Sequence, residues 1–179
     1  MRVFAERGSR ASMIAIAREC GLSPTALYYH FAGKDELFTA AVETVAEQIE
    51  DATAQAERAA GGPLPMQRAV EAVWRWNAEH HNAARLLYSL TTSGPPPARS
   101  VREGFVDRYR HKVLDRIPGR PRQNPTDDLV DRLAVRTYMT LAMGMSEAWV
   151  TGEPIGGTHD QASIVPTLAL VSSRLTGAR

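Results

Sequence analysis

Apolar residues recur every three or four positions along almost the whole chain, and no stretch alternates apolar with polar residues as a strand would. The segment 34–59 shows this best. Phe38, Val42, Val45, Ile49 and Ala52 share one helical face, Asp35 and Glu36 suit the positive end of the helix dipole, and Gly61-Gly62-Pro63 stops it. A second helix is predicted from about 65 to 80, with Met66, Val70, Val73 and Asn77 on one side, and a short one near 82–90. Gly94-Pro95-Pro96-Pro97 is a rigid break, after which Val101, Phe105, Tyr109 and Val113 form another stripe. Pro118 to Pro125 reads as a basic loop with Arg120 and Arg122. The most apolar helix is predicted over about 126–151, with Leu129, Leu133, Tyr138, Leu141, Met145 and Trp149, and Gly152 and Pro154 end it. Thr158, with Gln161 three residues on, predicts a capping box for a last helix striped by Ile164, Leu168, Val171 and Leu175. Pro166 costs little there if that helix starts near Ser163, and kinks it otherwise.

The most specific pattern lies between Ser12 and Lys34. Ser12 can cap a helix running through Met13, Ile16, Ala17 and Arg18 to Cys20, and Gly21 stands where a left-handed residue would end it. Ser23-Pro24 then reads as an N-cap followed by proline at the first helical position of Pro24 to Phe31. Ala17 is small where two helices cross, and Ile16, Leu22, Leu27 and Phe31 supply the apolar side that holds the pair. That is a helix-turn-helix, which presents its second helix to the major groove of double-stranded DNA. Of the adjacent Tyr28 and Tyr29, at most one can face the core, so at least one is expected to be exposed.

Charge agrees with this. The first 34 residues carry five basic side chains against two acids, and the remaining chain carries sixteen against eighteen, within a net charge of +1. The single Cys20 excludes an internal disulfide and is expected to be a small buried residue ending its helix. The longest stretch without Lys, Arg, Asp or Glu, Cys20 to Gly33, is too short to span a bilayer, and Glu6 and Arg7 interrupt the start before a signal peptide could build. A cytoplasmic protein without membrane attachment is expected.

Phe4-Ala5-Glu6-Arg7-Gly8, Ile16-Ala17, Gly21-Leu22-Ser23, Leu27-Tyr28-Tyr29-His30-Phe31 and Gly33-Lys34-Asp35-Glu36-Leu37 resemble the DNA-binding domain of the TetR family of bacterial repressors. The resemblance covers about residues 4–38. It implies base-edge contacts from Pro24, Thr25 and Ala26, with Tyr29 and His30 further along, and phosphate contacts from Ser12, Tyr28 and Lys34. The family's first helix normally begins well before the position of Phe4, so a shortened or truncated first helix is expected here. The resemblance divides the chain into a helix-turn-helix domain, residues 1–38, and a helical ligand-binding and dimerisation domain, residues 39–179. The expected function is a transcriptional repressor, released from a palindromic operator by a small-molecule effector and acting as a homodimer.

Aromatic and methionine side chains cluster at helical spacing in the C-terminal part: Trp74, Trp76, Tyr88, Tyr109, Tyr138, Met139, Met143, Met145 and Trp149. Ordinary helix core accounts for most of them, and a subset can line an apolar cavity. The candidate pocket is Trp74, Asn77, His80, Tyr109, Tyr138 and Met143, in which Asn77 or His80 could orient a ligand. The dimer interface is expected on the last two helices, through Leu141, Met145, Trp149, Ile164, Leu168, Val171 and Leu175, as a four-helix bundle about a two-fold axis. Adjacent His80 and His81 point about 100° apart on a helix and lack a third ligand, so no metal and no cofactor are expected. The basic set from Arg99 to Arg122 reads as a solvated face. The competing function is a small-molecule-binding or enzymatic helical protein with a helix-turn-helix remnant, although no catalytic constellation or phosphate loop supports an enzyme.

Overall fold

The computed structural model describes residues 1–116, 125–154 and 160–176 of the chain. Among these the regular structure is helical throughout. Helix α1 spans Arg2–Arg7 and is followed by a 3-10 turn, Gly8–Arg10; α2 is Met13–Glu19 and α3 Pro24–His30. The long α4, Lys34–Ala59, leads to α5, Met66–Glu79, and to the short α6, His81–Arg85, which continues as a π-helical turn, Leu86–Leu90. Helix α7 is Pro96–Arg116, α8 Pro125–Thr151 and α9 Gln161–Thr176. The basic loop expected at 118–125 lies, up to Asn124, outside the described residues.

The stripe of α4 is the core of the molecule. Phe38, Val42, Val45 and Ile49 are all buried, because their spacing keeps them on one side for three turns. They belong to one apolar cluster that also takes in Phe4, Leu27, Trp76, Leu86 and Leu87, so the N-terminal helices and the body share a continuous core across the 38/39 boundary. A second cluster, of Val70, Trp74, Val113, Val135, Tyr138, Met139 and Ile164, joins α5, α7, α8 and α9.

Helix α8 departs from the expected stripe. Leu129 and Leu133 are about half exposed, and the buried face is Val135, Tyr138, Met139, Ser146 and Val150. The step from Leu133 to Tyr138 is five residues, about 140° around a helix, so the apparent stripe joined two different faces. Helix α9 also differs. Asp160 forms its cap: the carboxylate accepts from the Ala162 amide at 3.1 Å and from the Ser163 hydroxyl at 2.7 Å, which lowers the Asp160 pKa. The expected cap, Thr158, lies outside the described residues. Because α9 begins at Gln161, Pro166 is interior and leaves the carbonyl four residues earlier without its helical donor.

Candidate functional site

The sharp turn between α2 and α3 is built from three local devices. The Ser12 hydroxyl accepts from the Ala15 amide at 3.2 Å and starts α2. At the other end Gly21, at φ 68°, lets the Leu22 amide reach the Ala17 carbonyl at 2.9 Å and the Gly21 amide reach Arg18 at 3.2 Å, a Schellman closure that requires the left-handed residue. Ser23 then caps α3, accepting from Ala26 at 3.1 Å, with Pro24 at the first helical position. Ala17, wholly buried, lets the helices approach, and Met13, Ile16 and Leu27 fill the angle between them. Two expectations fail here. Leu22 is 48% exposed because the closure turns it outward, and Cys20, at the helix end, is exposed rather than buried.

With Leu27 turned inward, the opposite side of α3 faces solvent. Pro24, Thr25, Tyr28, Tyr29 and His30 are exposed and Ala26 is half-buried. Both tyrosines are outside, Tyr28 at 55% and Tyr29 at 86%, where only one was expected to have to be. Such exposure leaves aromatic rings with polar tips in water, where a groove can receive them. The rings of Tyr29 and His30 meet edge-on, 5.2 Å apart, which limits their freedom. Ser12 is exposed at the start of α2, and Lys34 opens α4, where the helix dipole adds to its attraction for an anion. The eight residues singled out from the sequence thus fall on α3 and on the two helix starts that flank it.

A second feature lies inside the body, between α4, α5, the π turn, α7 and α8. It is a cavity of about 60 Å³, lined by Val70, Val73, Trp74, Phe105, Val113, Met139 and Met143 and by the polar-tipped Thr53, Tyr88, Tyr109, Tyr138 and Ser146. Trp74, Tyr109, Tyr138 and Met143 were singled out for such a site, and all four line it. His80 does not. It is exposed at the end of α5, stacked on Trp76 with centroids 4.6 Å apart, its Nδ1 3.0 Å from the Trp76 carbonyl oxygen. Asn77 does not line the cavity either: it lies one turn beyond Trp74, fully buried beside the Tyr88 phenol, and neither of its amide atoms makes a well-formed hydrogen bond. The Tyr109 hydroxyl is 2.7 Å from that of Thr53, with the Ile49 carbonyl 3.3 and 3.1 Å from the two. Burial raises the pKa of Tyr109, and it pushes that of Tyr88 up to about 12, although Asn77 and Ser146 beside the Tyr88 phenol pull the other way. Thr53, Phe105 and Ser146 were not read from the sequence. Thr53 and Ser146 stand as polar residues on otherwise apolar helix faces, and that was the available signal.

The residues expected at a subunit interface divide. Ile164 is buried at 3% in its own chain, and Trp149 meets Trp74 at 5.9 Å and His81 at 5.1 Å, so these two face inward. Met145 also packs against the second cluster. Leu141 and Val171 are half-buried, and the side chains of Leu168 and Leu175 lie outside the described residues. Among the described residues, the exposed large apolar side chains on these helices are Leu129, Val130 and Leu133 of α8 and Leu170 of α9. No helix is long and apolar enough to cross a membrane, and no group of three or more His, Cys, Asp or Glu could hold a metal, both among the described residues.

Residues 1–41 match the model of the family described as bacterial regulatory proteins, tetR family. Among solved structures, the chain is similar to a TetR-like transcriptional regulator from Rhodococcus sp. RHA1, with 23% identity over 98% of this chain and 88% of that one and a TM-score of 0.65. That likeness is one of fold. No curated protein matches the chain.

Proposed function

On the match of residues 1–41 to the model of the tetR family of bacterial regulatory proteins, we propose that the chain is a regulator of that family, that it represses transcription as a homodimer on a palindromic operator and that it is released by a small molecule. The observation that supports it most is the outward face of α3, where Thr25, Tyr28, Tyr29 and His30 stand exposed between Ser12 and Lys34. Hydroxyls and a lysine bond phosphate oxygens and set the protein's position, while Thr25 and the methyl of Ala26 reach base edges. Two such heads bind half-sites whose centres are about 34–36 Å apart, or a multiple of that.

The placement of α4 supports control by a ligand. Its 26 residues carry Lys34 and Phe38 at the DNA end and Thr53 in the cavity wall, about 39 Å from end to end. A molecule that widens the cavity tilts this helix and moves the two reading heads out of register. The coupling is reciprocal and of the order of 1–3 kcal/mol. Pairing of subunits raises the effective concentration of the second head, and the exposed apolar residues of α8 and α9 supply the surface for it.

The test is footprinting of the purified chain on the DNA flanking its gene, with and without a bound small molecule. A protected inverted repeat that opens on ligand addition is expected. Absence of any protected site would overturn the reading, and equal ligand affinity with and without operator DNA would remove the coupling.

A further inference from the structure

Resting on the reading of the cavity as the effector site, we infer that its ligand is an uncharged single-ring molecule with one polar end that both donates and accepts hydrogen bonds, such as a carboxamide. The walls select the ring. Trp74, Phe105, Tyr109 and Tyr138 offer edges and faces to a flat apolar body, and Val70, Val113 and Met139 complete the enclosure.

One end of the cavity selects the polar group. Tyr88 and Ser146 line it with hydroxyls, and both residues are buried. Behind them, outside the lining, Asn77 is fully buried beside the Tyr88 phenol, with neither its amide nitrogen nor its carbonyl oxygen in a well-formed hydrogen bond. A buried primary amide with neither side bonded is rare in folded proteins, and the arrangement presents a donor and an acceptor to the same small region. A ligand amide supplies the complement of both through the Tyr88 and Ser146 hydroxyls, which line the cavity in front of Asn77.

Charge is selected against. Among the described residues no carboxylate lines the cavity, so a cationic ligand finds no counter-ion. The lining cation among the described residues, Lys112, lies 5.3 Å over the Tyr109 ring and is already engaged. The rise of the Tyr88 and Tyr109 pKa values by burial shows that negative charge is disfavoured there too. Size is limited as well. An engineered apolar cavity of about 150 Å³ holds benzene, more than twice the 60 Å³ present, so a single ring enters only as the walls give. Met139 and Met143 are the pliable part of the wall, since their unbranched side chains repack easily.

The experiment is calorimetric titration of the full chain with four probes that share a ring: benzamide, toluene, benzoate and benzylamine. Benzamide is expected to bind about tenfold or more tighter than the other three, the factor one net neutral hydrogen bond supplies. Asn77→Leu should bring benzamide to the affinity of toluene and leave toluene within about twofold. Should Asn77→Leu not fold, Ser146→Ala, which removes one lining hydroxyl, is expected to reduce the same preference. Benzoate or benzylamine binding as tightly as benzamide, a benzamide preference that survives both substitutions, or no binding by any probe overturns the ligand class. Benzamide binding that persists undiminished in Ala142→Phe, which fills the cavity, refutes the cavity as the binding site, so the two failures are told apart.

Discussion

The ring of Phe4 meets the ring of Phe38 edge-on, with centroids 5.1 Å apart and planes at 86°. This joins α1 to the first turns of α4 and so ties the helix-turn-helix head to the helix that reaches the cavity. Both rings are buried, and both line the small cleft where the head meets Leu90 and Gly94. Gly94 is needed for the approach: a Cβ there would stand 3.0 Å from the Phe38 ring and 3.3 Å from the Leu90 carbonyl oxygen. Truncating Phe4 to Ala should therefore cost about 3–5 kcal/mol of stability, and Gly94→Ala about 1–3 kcal/mol through overpacking, both measured by urea denaturation.

On the proposed DNA face, the predictions divide by what each residue is proposed to touch. Lys34→Ala should weaken binding to all sequences alike and reduce the slope of log K against log salt by about one phosphate contact. Tyr28→Phe should also act uniformly. Thr25→Ala should instead change the order of preference among operator variants, because a base edge loses its partner. A full operator-mutation profile left unchanged by Thr25→Ala would refute its role in base reading.

The difference between what the sequence revealed and what it hid has a physical basis. Ser12 and Ser23 act through hydroxyls on amides three residues on, and Gly21 and Pro24 through their own backbone, so the turn between α2 and α3 was readable from local chemistry alone. The stripe of α4 was readable because its spacing never breaks. Helix α8 was not, since Leu129 and Leu133 lie on a different face from Tyr138 and Met145, and only packing decides which face is inner. His80 was misplaced for a similar reason. It follows Asn77 by nearly one turn, but α5 ends there, and stacking on Trp76 turns the ring outward. Cys20 and Leu22 depend on the direction of a chain reversal, which composition does not encode.

Alkaline pH tests the burial of Tyr88. Its folded pKa, about 12, is above the ordinary phenol value of 10. Below pH 10 the phenol is neutral in both states and stability is unaffected. Between 10 and 12 the unfolded chain ionises first, binds fewer protons than the folded one, and stability falls as pH rises. Tyr88→Phe should flatten that part of the profile. Denaturation midpoints between pH 9 and 12, alongside phenolate absorbance, check it; a profile with the same slope in the variant would mean that Tyr88 does not set it.

For the proposed homodimer, the candidate interface is what the fold leaves unburied among the described residues. Trp149 and Ile164 are used inside the chain, so they cannot also carry a four-helix contact without opening the second core cluster. Leu133 at 53% and Leu170 at 51% exposure are instead large apolar side chains in water, on the two helices that pack against each other at the end of the chain. Covering the exposed half of a leucine contributes about 1 kcal/mol, and a two-fold axis counts every such residue twice. Leu133→Glu with Leu170→Glu should reverse that gain and place like charges close together across the axis. Sedimentation should then show monomers, with helicity unchanged and operator binding lost. Trp149→Ala is the control: it should lower thermal stability by opening the core, about 3–5 kcal/mol, while the protein that remains folded still sediments as a dimer. A wild-type chain that sediments as a monomer at tens of micromolar would rule the interface out, and a dimer that survives both leucine substitutions would move it to another face.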